Sequence, residues 1–149
     1  MQRRIPSASV LTTATLDRHR LAFHKVGRDG SAKCDVLATP GSDESVQGVL
    51  YRMAPQHKTD LDAHEGLGRG YAEKRVAVTR ADGTQCDAFL YYATHIDAAL
   101  KPFRWYREHV LRGARERGLP AAYVARILAI EVDEDPDADR HAIERAIYC

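Results

Sequence analysis

The chain has 149 residues, a length that suits one domain with one hydrophobic core. Hydrophobic residues make up 44% and charged residues 29%, as in ordinary globular proteins. The net charge of +1 argues against a nucleic-acid-binding surface. No apolar run reaches the roughly 18 residues of a membrane span, and the N-terminal residues lack the apolar core of a secretory signal. We therefore expect a cytoplasmic protein with neither a nucleic-acid nor a membrane partner.

The first half of the chain has the alternation and β-branched content of strands. These patterns predict strands at residues 10–16, 20–25, 34–39 and 46–53. A turn is predicted at residues 27–31, because that segment is rich in residues that tolerate positive φ.

A short helix is predicted next, at residues 56–64. Pro55 suits its first turn, and Leu61 is expected on its buried side. Glycines at positions 66, 68 and 70 end it. Two further strands, at residues 75–79 and 87–94, are predicted to pair through the hairpin signal Ala-Asp-Gly at residues 81–83.

The last third of the chain is predicted to be helical. One apolar face recurs at helical spacing after Pro102, on Phe103, Tyr106, Val110 and Ala114. Gly118 is placed to follow the end of that helix, and Pro120 to begin the next one.

The second of these helices is expected to bury Tyr123, Ile127 and Ile130. The acidic residues 133–135 and the following Pro136 are predicted to form a loop, followed by a final amphipathic segment. Strands first and helices after predict an α+β domain, with a largely antiparallel sheet or barrel on which the helices pack.

Cysteine and histidine patterns give no metal or disulfide signal. Cys34, Cys86 and Cys149 are odd in number, widely spaced and without a CxxC motif, so free thiols are expected. The seven histidines form no HExxH motif and no convincing i, i+4 pair. We expect no metal site.

The chain also lacks the motifs of common nucleophilic and nucleotide-binding sites. It has no GxSxG elbow and no GxxxxGK[ST] loop. The glycine-rich residues 66–70 follow a helix rather than a strand, so a dinucleotide site is not expected there.

Glu65 is the residue-level candidate for acid/base chemistry, because it lies at the end of the predicted short helix. A helix C-terminus is electrostatically unfavourable for an anion, and a buried carboxylate there would have a raised pKa. Such a carboxyl group suits general acid/base work. The alternative is an ordinary surface carboxylate.

Four segments, in order along the chain, resemble the gamma-glutamylcyclotransferase family, which includes AIG2-like and butirosin-pathway proteins. Residues 20–25 read R-L-A-F-H-K and precede a D-G-S turn, as in bacterial members. Residues 46–51 read V-Q-G-V-L-Y, similar to the family's V-x-G-V-L-[YW] strand. Residues 61–66 read L-D-A-H-E-G, similar to the stretch that bears the family's catalytic glutamate. Residues 113–120 read G-A-R-E-R-G-L-P, like the turn that follows the family's barrel.

The resemblance implies an activity and a set of site residues. Family members cyclise a gamma-glutamyl group to 5-oxoproline and release the amine, without cofactor or metal. Glu65 matches the acid/base residue. Tyr106 matches a substrate-contacting position, although it could equally be a core aromatic residue. Tyr71 and Gly66 are expected to shape the substrate pocket, and Tyr51 and Tyr91 to pack in the barrel.

The sequence departs from the family at its start. Members begin with a strand and a Y-G-S-N loop that holds substrate, and this sequence contains neither. The resemblance therefore predicts one domain over residues 1–149 that is incomplete at its N-terminus. Either a longer natural chain supplies the loop, or this is an inactive member that binds a small ligand or a protein. A sheet lacking that strand would expose an edge, which could pair in a homodimer or promote aggregation.

Overall fold

The computed structural model describes residues 8–65 and 67–146. The first half contains four strands: β1 (Ser9–Asp17), β2 (His19–Val26), β3 (Ala32–Ala38) and β4 (Ser45–Arg52). A 3-10 turn (Pro55–His57) leads into α1 (Lys58–Glu65), followed by β5 (Tyr71–Arg80) and β6 (Gln85–Ala93). Three helices complete the described chain: α2 (Arg104–Glu116), α3 (Ala121–Leu128) and α4 (Ala138–Ala146).

The strands form two antiparallel sheets. The larger has the order β4-β1-β5-β6, and the smaller pairs β2 with β3. Strand β3 lies beside β6, and β2 lies beside β4, so the two sheets curl together into a half-barrel. The predicted α+β class, with a mostly antiparallel sheet, packed helices and a helical C-terminal part, is confirmed. Within the described residues, no helix is both long and apolar enough to cross a membrane.

A single residue, Arg18, connects β1 to β2 and turns the chain from the large sheet into the small one. Its φ of 58° lies in the left-handed region, which is uncommon for a residue with a Cβ. Two backbone hydrogen bonds hold it there: its N–H donates to the carbonyl of Glu44 (2.8 Å), and its carbonyl accepts the N–H of Thr39 (2.8 Å). Strands β1 and β2 thus form one bent strand, which pairs with β4 and β3.

The β5–β6 hairpin is longer than its sequence pattern predicts. Strand β5 begins at Tyr71 rather than at residue 75, and the ladder runs from the Tyr71–Ala93 pair to the Thr79–Gln85 pair. Exposure alternates from Ala72 onward, but the half-buried position 74 is a lysine between two exposed charged residues, so no apolar alternation is visible in the sequence there. The predicted turn at residues 81–83 is confirmed, with Gly83 at a φ of 87°.

Helices α2 and α3 form the main apolar core. Leu111, Ala114, Tyr123 and Ile127 are buried together, with Leu21 of β2 packed against them. The predicted faces were partly right. Of the predicted residues, four are buried and three only half-buried: Phe103, Ala114, Tyr123 and Ile127, against Tyr106, Val110 and Ile130. The periodicity did not select Trp105 and Leu111, which are buried in α2.

The turn between α2 and α3 confirms the predicted helix end. Gly118 adopts a φ of 68° immediately after the helix, and Leu119 donates its N–H back to the carbonyl of Ala114 (3.0 Å). Glycine accepts this left-handed conformation without a Cβ penalty. The following residue, Pro120, directly precedes α3.

A second, smaller apolar cluster holds α1 in place. Leu61 is 2% exposed and packs with Ala8, as predicted for the buried side of this helix. Tyr51 and Tyr91 pack against the same cluster, which agrees with their predicted place in the barrel.

Asp35 joins the two sheets where β3 and β6 meet. One oxygen of its buried carboxylate accepts the backbone N–H of Ala93 in β6 (2.7 Å). The other lies 2.6 Å from Nε2 of His24, which is also buried. A side chain therefore makes the contact that a backbone ladder would otherwise make between adjacent strands.

We predict that Asp35→Ala destabilises the fold by about 3 kcal/mol, because it leaves His24 and the Ala93 N–H buried without their partner. The measurement is the free energy of unfolding from urea denaturation. Asp87→Ala, an exposed carboxylate on β6, is the matched control and should change stability by less than about 0.5 kcal/mol. Equal effects of the two substitutions would contradict the bridging role of Asp35.

Candidate active site

Glu65 is the last residue of α1, as the sequence predicted, and its side chain is half-buried. The chain reverses direction directly beyond it. Leu67 donates its N–H to the carbonyl of Asp62 (2.9 Å), which closes the helix end around Glu65. Gly68 and Gly70 have φ values of 78° and 109°, so this turn needs residues without a Cβ.

Tyr71 follows this turn and begins β5. Its half-buried hydroxyl donates to the carbonyl of Cys34 (3.1 Å), and Nζ of Lys25 lies 4.8 Å from its ring centroid. Burial raises the pKa of Tyr71 to about 12, and the negative charge of nearby Glu65 contributes in the same direction. Tyr71 is therefore a neutral phenol at physiological pH, close to the Glu65 carboxylate.

Tyr106, in α2, contacts the backbone of the same residue, Cys34. Its hydroxyl accepts the backbone N–H of Cys34 (3.0 Å), and its ring makes an edge contact with Phe23 at 6.2 Å between centroids. Burial raises the pKa of Tyr106 well above its usual range. The Cys34 side chain is a second hydrogen-bond partner of this hydroxyl, so Tyr106 contacts both the backbone and the thiol of Cys34.

Lys33 holds α2 against the β2–β3 hairpin. Its Nζ lies 2.9 Å from a carboxylate oxygen of Asp29 and the same distance from Oγ of Ser31. The same ammonium group lies 4.8 Å from the Trp105 ring and 4.6 Å from the Tyr106 ring. These cation–π contacts help to fix the position of the Tyr106 ring.

The structure thus brings three of the four predicted site residues into one region. Tyr71 binds the carbonyl of Cys34 and Tyr106 its N–H, and Glu65 lies close enough to Tyr71 to affect its titration. The fourth, Gly66, lies outside the described residues.

Sequence reasoning missed the part that Cys34 plays. Its backbone N–H and C=O hydrogen-bond the two tyrosine hydroxyl groups. Every residue has these backbone groups, so the residue type at position 34 does not indicate the contact. Burial raises the pKa of its thiol to about 11, so the side chain stays protonated and is a poor nucleophile.

Tyr91 was predicted only as a packing residue, but it also makes a polar contact. Its hydroxyl donates to Oδ1 of Asp62 (2.5 Å). Burial and this hydrogen bond raise the pKa of Tyr91, and the charge of Glu65 adds to the effect. Asp62 belongs to the L-D-A-H-E-G segment and lies three residues before Glu65. That position was the sequence feature from which a polar role for Asp62 could have been predicted.

The arrangement suits proton transfer by a carboxylate among neutral hydroxyl groups. A half-buried carboxylate can accept and return a proton, while phenols hold a polar ligand by hydrogen bonds without carrying charge. Within residues 8–65 and 67–146, no three His, Cys, Asp or Glu side chains are grouped so as to hold a metal ion.

Comparisons with known proteins bear on the family and the fold. The sequence model of the AIG2-like family matches residues 45–127. Gamma-glutamylcyclotransferase of Homo sapiens is 30% identical over 137 residues, covering 88% of this chain and 71% of the relative. The Mus musculus protein of the same name is 29% identical with the same coverage.

Solved structures share the fold. A structure titled gamma-glutamyl cyclotransferase superposes with a TM-score of 0.84 at 24% identity, covering 97% of this chain and 89% of the other. A Homo sapiens protein solved as uncharacterized superposes with a TM-score of 0.83 at 25% identity and the same coverage. The half-barrel with its flanking helices is therefore a gamma-glutamylcyclotransferase fold. The chain belongs to the AIG2-like gamma-glutamylcyclotransferase family.

We predict that Tyr106→Phe destabilises the protein more than Tyr71→Phe. Tyr106→Phe removes the acceptor of the half-buried Cys34 N–H, at a cost of about 1 to 3 kcal/mol. Tyr71→Phe removes one donor to a carbonyl oxygen that has a second lone pair, so we expect about 1 kcal/mol or less. Urea denaturation of both variants measures the difference, and the reverse order would contradict the assigned hydrogen bonds.

Proposed function

We propose that this protein cyclises a gamma-glutamyl peptide or amine to 5-oxoproline and releases the free amine. Family membership supports this class of reaction. The observation that carries the proposal is the position of Glu65: a half-buried carboxylate at a helix end, near Tyr71, whose hydroxyl shares the Cys34 backbone with Tyr106.

The proposed reaction is an intramolecular transfer. The α-amine nitrogen of the glutamyl unit attacks the side-chain carbonyl carbon, and a tetrahedral intermediate forms. The bond from that carbon to the leaving nitrogen then breaks. One proton leaves the attacking nitrogen and one reaches the leaving nitrogen. Because nothing is oxidised or reduced, the proposed reaction requires no cofactor.

Glu65 is proposed to move both protons in turn. Its carboxylate accepts the proton of the attacking amine and, as a carboxylic acid, returns it to the leaving nitrogen. Because nucleophile and carbonyl belong to one small molecule, the site must chiefly hold the glutamyl unit in its curled conformation.

The two tyrosines and the glycine turn are proposed to bind the substrate. The Tyr106 hydroxyl is proposed to exchange the Cys34 thiol for a carboxylate or carbonyl oxygen of the glutamyl unit, and Tyr71 is proposed to form an adjacent wall of the pocket. Gly66, the next residue in the sequence after Glu65, is proposed as a further substrate-binding residue. The partner of the protein in this proposal is a small molecule with a gamma-glutamyl group.

The test replaces the proposed acid/base group. We expect Glu65→Gln to lower kcat at least about 100-fold, since a positioned general acid/base contributes about 10²–10⁴-fold. The full-length protein would be assayed for 5-oxoproline release from glutathione, a gamma-glutamyl dipeptide and a gamma-glutamyl amine. Asp60→Asn, an exposed carboxylate on the same helix, is the matched control and should leave the rate unchanged.

Two results would contradict the proposal. An unchanged rate in Glu65→Gln would refute the role of that residue. Binding of gamma-glutamyl compounds without any release of 5-oxoproline would identify the protein instead as a ligand-binding member of the family.

A further inference from the structure

We propose that Asp62 and Tyr91 are positioning residues that hold the Glu65 carboxylate in the site. This inference rests on the proposed function, which assigns Glu65 the role of acid/base catalyst. Neither residue is proposed to touch the substrate. They act by attaching the end of α1 to the β5–β6 hairpin.

The side chain of Asp62 makes the first attachment. Oδ1 accepts the hydroxyl proton of Tyr91 in β6 at 2.5 Å and also pairs with the ammonium group of Lys58. The same ammonium group lies 3.1 Å from a carboxylate oxygen of Glu73 in β5. One carboxylate and one ammonium group therefore link α1 to both strands of the hairpin.

The backbone of Asp62 makes the second attachment. Its carbonyl accepts the N–H of Leu67 at 2.9 Å, so the segment that contains Glu65 is closed by a hydrogen bond from the residue beyond it. Asp62 thus binds β6 through its side chain and the glycine turn through its carbonyl. Glu65 lies between these two contacts.

A helix of this length needs such an anchor. α1 has eight residues, and an isolated helix this short does not persist in water. Among the α1 residues whose side chains are described, only Leu61 is buried. Apolar packing alone would allow the helix end to fray at Glu65, where an error of about 1 Å in the carboxylate position could cost about 10²-fold in rate.

The titration behaviour of the pair agrees with this geometry. Hydrogen bonds from Lys58 and Tyr91 lower the pKa of Asp62, and burial with the Asp62 contact raises the pKa of Tyr91. Asp62 is therefore an anion and Tyr91 a neutral donor at physiological pH. Because the Tyr91 hydroxyl proton is directed to Asp62, this phenol is a positioning group and not a second acid.

The experiment compares four variants with Asp60→Ala, an exposed carboxylate removed from the same helix. Asp62→Ala and Tyr91→Phe should each lower kcat about 10- to 100-fold, with KM within about threefold of the wild type. The double variant should fall no further than Asp62→Ala alone, since the hydrogen bond that Tyr91→Phe removes is already lost in that variant. Asp62→Asn keeps an acceptor for Tyr91 and should recover most of the rate.

A second measurement does not depend on activity. Amide hydrogen exchange at Leu67 should be at least about tenfold faster in Asp62→Ala and in Tyr91→Phe than in Asp60→Ala, the factor expected for loss of one charge-assisted hydrogen bond. Unchanged exchange would overturn the anchor, even in a protein that releases no 5-oxoproline. If the wild type is active, equal turnover by Asp62→Ala and Asp60→Ala would also overturn the positioning role of Asp62. Normal turnover by Glu65→Gln would instead refute only the proposed function.

Discussion

The contact between the Asp35 carboxylate and the Ala93 N–H is the interaction on which the rest of the site depends. It joins β3 to β6 at a place where the two strands share no ladder. Ala93 pairs with Tyr71 across the β5–β6 hairpin, and Cys34 is the residue next to Asp35. A change in the spacing of the two sheets would therefore separate the Tyr71 hydroxyl from its acceptor on Cys34.

Polar contacts between distant segments assemble the site around this junction. Its side chains come from α1, β5 and α2, and its central backbone group from β3. Apolar packing supports each segment separately, because the α2–α3 cluster and the Leu61 cluster are distinct. Hydrogen bonds from side chains to backbone then set the distances between the segments. Such contacts are directional, which suits a site whose task is to orient one small molecule.

Local patterns predicted most of the fold because each depends on near neighbours. Strand alternation, the hairpin at residues 81–83 and the glycine after α2 all follow from a few adjacent residues. Glu65 at a helix end followed from the same reasoning, and the family resemblance gave it a chemical role. The junction on Cys34 could not be predicted in this way. It joins residues 37 and 72 positions apart through backbone atoms, which residue identity does not encode.

The corner at Arg18 has a consequence for how this family can vary in length. One residue there passes the chain from one sheet to the other, and its two backbone bonds tie both strand pairs to the same register. An insertion or deletion of one residue at this corner would turn the inward side chains of a whole strand outward. Gaps between relatives should therefore fall in the turns at residues 27–31 and 40–43 and avoid residues 17–19, so that a short stretch without length variation marks the junction of the two sheets.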